Sequence, residues 1–138
     1  MAKEKSAGSG IIPHLTIRDG KAAAASDFYQ AAFGAVELYR HLAEDGKRLM
    51  HASLEINGGP LMINDDFPEM NEGRATAQPA ASVMHLQVED AEAAWKQAME
   101  AGAEVRFPLG DQFWGDRYGQ IVDPFGFVWS IGMTIKNS

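Results

Sequence analysis

The feature that most restricts the fold of this chain is that one order of elements is read twice along it. From residue 11, "IIPHLTIRD" alternates with the period of a strand. Ile11, Pro13, Leu15 and Ile17 fall on one side, and Ile12, His14, Thr16 and Arg18 on the other. In "GKAAAASDFYQAAFGA", Ala25, Phe28, Tyr29 and Ala32 stand at the i, i+3, i+4, i+7 spacing of an amphipathic helix, and Gly34 sits where such a helix ends. Strands follow at 36–42 ("VELYRHL"), in "LMHASLEI" and in "PLMIND", the last two joined by the hairpin turn Asn57, Gly58 and Gly59. After a polar stretch, "SVMHLQVED" opens as a strand. "AEAAWKQAMEAGAE" then repeats the helical spacing with Ala91, Ala94, Trp95 and Ala98 and ends at Gly102. Strands are predicted at 104–107, 118–123 and 127–134. The chain therefore divides into a flexible tail at 1–10, a first βαβββ unit at 11–65, a linker at 66–81 and a second unit at 82–134, one domain overall.

A repeat of about 70 residues that occurs twice is too long for a solenoid array, so the two units are expected to pair with each other. The expected class is α+β: tandem βαβββ units forming a curved mixed sheet around a cavity, with the helices outside. The face carrying Leu15 and Ile17, or Met84, Leu86 and Val88, is the one a helix covers. The opposite face carries His14 and Thr16 in the first unit and His85 and Gln87 in the second, so His14 and His85 occupy matching places.

Composition narrows what such a domain does. At 46% hydrophobic and 22% charged residues, the chain has enough apolar material for a core of its own. A formal charge of −7 with scattered basic residues argues against a nucleic-acid partner. The absence of cysteine removes disulfides, thiolate metal sites and cysteine nucleophiles. No apolar run approaches the ~20 residues a membrane helix needs, and "MAKEKSAGSG" lacks the apolar stretch of a signal peptide. A cytoplasmic location is expected. No GxGxxG after a strand, GxxxxGK[ST], HExxH or GxSxG occurs, which leaves no nucleotide, zincin or serine-elbow reading.

The motifs "IIPHLTIRDGKAAAASDFYQAAFGAVELYR", "MHASLEINGGPLMIND", "MHLQVEDAEAAW" and "DQFWGDRYGQIVDPFGFVWSI", spanning about residues 11–134, resemble the vicinal oxygen chelate superfamily. That superfamily contains glyoxalase I, bleomycin resistance proteins and extradiol dioxygenases, and the likeness is to its PhnB-like branch. The resemblance implies the fold just described. It also implies, in relatives that use a metal, ligands from the opening and closing strands of each unit, typically His or Gln plus Glu. The matching places here are Ile12, Val83, Met62 and Ser130, none of them a good ligand for a catalytic divalent ion. Many relatives form dimers, and a homodimer is expected.

The reading is therefore a glyoxalase/bleomycin-resistance-like protein that binds a small organic molecule in the sheet cavity without the usual metal. The expected ligand contacts are His14, His51, His85, Trp114, Arg117 and Ser130. His51 shares its strand parity with Ser53 and Glu55, and the Phe113-Trp114 pair suits a cavity mouth that takes planar or apolar ligands. Arg117 either grips a ligand carboxylate or pairs with Asp116. One alternative is a metal-dependent lyase, isomerase or dioxygenase with His14 and His85 as ligands and an oxygen from Glu55 or Asn64. The other is a non-catalytic drug-binding or dimerisation module. Catalysis and simple binding are both compatible with these residues, since histidine serves as donor, acceptor or base.

Overall fold

The structure is a computed structural model that describes residues 9–135. Most of the expected tail, residues 1–8, lies outside the described residues. The described residues separate into two compact units, one of 9–30 and 34–77, the other of 31–33 and 78–135.

In the first unit, β1 (His14–Ile17), α1 (Ala22–Phe33), β2 (Val36–Leu42), β3 (Leu49–Ile56) and β4 (Gly59–Asp65) follow in chain order, with a 3-10 turn at Pro68–Asn71 beyond them. The sheet order is β1-β4-β3-β2, with β1 parallel to β4 and the other pairs antiparallel. Asn57 and Gly58 both have positive φ, the conformation that a tight hairpin between right-twisted strands requires. The second unit repeats the pattern with β5 (Val83–Gln87), α2 (Ala91–Ala101), β6 (Glu104–Asp111), β7 (Asp116–Val122) and β8 (Val128–Thr134). Its order, β5-β8-β7-β6, with β5 parallel to β8, is that of the first unit. The duplication read from the sequence is thus a duplication of topology.

Each sheet has one covered face. In the first unit Leu15, Ile17, Ala52, Leu54, Leu61 and Ile63 are buried and share strand parity. Asp65 closes that row. Its carboxylate is buried and accepts from Ala22 N at 2.9 Å, in the first turn of α1, and from Leu49 N at 2.6 Å. One acid thus fastens the helix start to two strands, at the helix end whose bare N–H groups favour negative charge. In the second unit Ile121, Trp129 and Ile131 are buried on the α2 side. Asp123 accepts from Phe125 N and Phe127 N and from Trp129 Nε1, each at 2.9 Å, so it holds the 123–127 turn and anchors the indole together. The Phe33 ring lies 4.5 Å from that of Trp129.

β6 runs to Asp111 rather than stopping at 107. Its register slips between Val105 and Phe107 and again between Phe107 and Gly110, which destroys the alternation by which a strand is read. Pro108 is tolerated because β6 is at the edge of its sheet.

Candidate functional site

The other face of the second sheet is built by register. His85 pairs with Ser130, Ser130 with Gln120 and Gln120 with Phe107, so these four side chains form one row across four strands. His85 Nδ1 is 2.6 Å from Ser130 Oγ and its Nε2 is 2.8 Å from Gln87 Oε1. Gln87 Nε2 donates to Thr134 Oγ1 at 3.4 Å, which turns Oε1 toward the imidazole. Neutral His85 therefore carries its proton on Nε2, donates it to Gln87 and accepts at Nδ1 from the buried Ser130 hydroxyl. Both ring nitrogens are engaged.

The ring has room only because residue 132 is glycine. A Cβ there would lie 2.8 Å from His85 Cε1 and 3.3 Å from Nε2. On the same face the Tyr118 ring stacks on His85 with centroids 5.9 Å apart and planes at 17°. Trp114 stands edge-on to Tyr118 at 5.8 Å, Phe107 lies 6.4 Å from it, and Phe113 is edge-on to Trp114 at 5.2 Å. The 112–115 connection places Trp114 here: Trp114 Nε1 donates to Asp116 Oδ2 at 2.9 Å, and Gly115 takes a φ of 94°. Phe113, Trp114 and Phe107 nevertheless remain 97%, 50% and 44% exposed, so this is an aromatic surface with open rings.

The first unit carries a row of the same kind, His14, Met62, Ser53 and Tyr39. His51 Nε2 is 3.1 Å from Ser53 Oγ, and its ring lies 5.4 Å from Tyr39 and 6.5 Å from His14. Asn64 Oδ1 accepts from Thr16 Oγ1 at 2.9 Å, and Glu55 is half-buried on this face.

Of the residues expected to meet a ligand, the structure groups His85, Ser130 and Trp114 on one face and His14 and His51 on the other unit's matching face. Arg117 lies elsewhere. Its strand partner is Met133, whose sulfur faces Ala91 N of α2, and its guanidinium bonds Asp111 at 2.7 Å and Glu92 of α2 at 2.8 Å. Hydrogen bonding to Arg117 holds the Asp111 carboxyl below its ordinary range. Asp116, proposed as its partner, instead accepts from Trp114. Tyr118 and Tyr39 were not singled out in the sequence; strand parity aligns Tyr118 with Gln120, whereas a register shift between Glu37 and Tyr39 turns Glu37 toward Ser26 of α1 and leaves Tyr39 opposite Ser53.

The metal that some relatives use can be tested against these neighbours. The sheet partner of His14 is Met62 and that of His85 is Ser130, a thioether and a hydroxyl where a carboxylate is needed. Among the described residues no group of three or more His, Asp or Glu side chains is placed to hold a metal ion. The sheet partners of His14 and His85 thus bring no carboxylate to either imidazole.

Two βαβββ units, each closing a four-stranded mixed sheet by parallel pairing of its first and last strands, define a class of α+β domains. The chain belongs to the Glyoxalase/Bleomycin resistance protein/Dioxygenase superfamily, whose sequence profile matches residues 11–131. It is 47% identical over 130 residues to an uncharacterized protein of Mycobacterium bovis, covering 91% of this chain and 84% of that one. Among solved structures, a Pseudomonas aeruginosa protein, PA1353, superposes with a TM-score of 0.75 at 23% identity over 94% of this chain and all of that one. A Bacillus cereus PhnB protein, described as a putative 3-demethylubiquinone-9 3-methyltransferase, superposes with a TM-score of 0.69 at 21% identity over 91% of this chain and all of that one. No helix among the described residues is long and apolar enough to cross a membrane.

Proposed function

We propose that this protein binds a small organic molecule bearing an aromatic ring on the uncovered face of its second sheet, without a divalent metal. The observation that carries this reading is the run of rings from exposed Phe107 through half-buried Tyr118 to exposed Trp114 and Phe113, on the face that carries the hydrogen-bonded His85, Ser130 and Gln87. Exposed aromatic surface of this kind is uncommon on a domain that has no use for it. His85 serves here as wall and ring partner.

The reading extends to a cytoplasmic homodimer, twofold symmetry being the commonest arrangement of small homo-oligomers. Light scattering on the purified chain tests the dimer. The binding reading is tested by a thermal-shift and fluorescence screen of planar aromatic compounds on the wild type, Trp114→Ala and Tyr118→Ala. Stabilisation of the wild type that is weakened in both variants is expected. Stabilisation that both variants retain refutes the site. Metal content of about one ion per chain, lost with His85→Ala, refutes the metal-free assignment.

A further inference from the structure

The uncovered face of the second sheet also carries a directional set of donors. Arg106 sits in the slipped segment of β6, and its Nη1 donates to Gln120 Oε1 at 2.7 Å. With its oxygen so engaged, the Gln120 amide turns Nε2 toward Tyr118 and donates to Tyr118 Oη at 3.0 Å. The phenol oxygen thus accepts within the sheet, and its own proton has no acceptor among the described residues. The remaining guanidinium N–H groups are likewise unclaimed. Arg117, the other described arginine of this unit, is tied to Asp111 and Glu92, whereas Arg106 has no carboxylate partner among the described residues. Arg106 further lines a groove of about 110 Å³ whose walls include Val83, Phe127 and Val128.

From this arrangement we infer that the ligand class of this face is an aromatic carboxylate. The ring lies on the Tyr118 and Phe107 rings, and the carboxylate accepts from the Arg106 guanidinium and the Tyr118 hydroxyl. The inference rests on the aromatic-binding reading above and adds the anion to it. A chain of net charge −7 repels anions on average, so the preference has to come from this local pair of donors.

The test is isothermal titration of the intact protein with 2-naphthoate and with its neutral analogue 2-naphthamide, at low and at 0.5 M salt. The wild type should bind the naphthoate about tenfold or more tightly than the amide, with the margin shrinking in high salt, as expected for charge-assisted recognition. Arg106→Gln should bring the ratio of the two affinities close to one, Arg106→Lys should restore part of it, and Tyr118→Phe should reduce it while keeping the ring. Equal wild-type affinities, or a ratio that survives Arg106→Gln, overturn the anion assignment and leave the aromatic reading standing. Binding of neither compound overturns both.

Discussion

Gly132 offers the sharpest test of how the site is built. Its φ is not in the left-handed region, so alanine is acceptable to the backbone and the only obstacle is space. The new methyl would sit 2.8 Å from His85 Cε1, while its approach to Tyr118 Cδ2, at 3.5 Å, is ordinary contact. His85 is an exposed side chain, so its ring swings away instead of compressing, and the bonds to Ser130 and Gln87 are lost. Two such bonds at roughly 1 kcal/mol each put the cost of Gly132→Ala near 2 kcal/mol, less about 0.5 kcal/mol regained because alanine restricts the unfolded chain. In a His85→Ala background the obstacle is gone, and the same substitution should be neutral or stabilising by about 0.5 kcal/mol. Urea unfolding of the four proteins in this cycle gives the coupling, expected to be about 2 kcal/mol with m-values unchanged. A Gly132→Ala cost that is equal with and without the imidazole would refute the claim that this glycine exists to seat His85.

Gly119→Ala should be worse than Gly132→Ala, by about 1 kcal/mol or more in urea unfolding, because its Cβ would meet Leu109 backbone at 2.8 Å as well as the Trp95 ring, and backbone cannot swing aside. Asp65→Asn should destabilise by about 2 kcal/mol in the same assay, since one amide cannot accept from Ala22 N and Leu49 N as the carboxylate does. Hydrogen bonding to Arg48 holds Asp45 down to about 2 and Glu69 below its usual range. Carboxyls depressed in the folded state stabilise it above their ordinary range and lose that contribution as the pH falls. Arg48→Met should therefore flatten the fall in melting temperature between about pH 5 and pH 2, and an unchanged acid profile would refute the assignment.

Much of the fold was legible because alternation and helical spacing are local. β3 runs over the residues its parity marks, 49–56, and β2 over the expected 36–42 although its register slips twice. β6 was legible only in part, since two slips of register, Pro108 and Gly110 break the period that would have revealed it. The site was less readable for a different reason. His85 and Ser130 are 45 residues apart and meet only through the parallel β5-β8 register, and no local pattern shows how Gln87 turns the imidazole. Arg117 was decidable after all: it shares parity with Gly119 and Ile121, the buried side of β7, and so belongs under α2. Arg106 was passed over because a bulged strand gives no rule for which face a side chain takes.

Because the first strand of each unit pairs with its last, neither sheet is complete until its final strand has been made. Thr16 must wait for Asn64, and His85 for Ser130. A chain cut short before residue 128 would leave β5 with no partner strand and one edge of β7 bare to any other strand in solution. Ribosomal stalling or proteolysis late in this protein should therefore yield aggregates rather than half-active fragments, with the order of synthesis doubling as the order of risk.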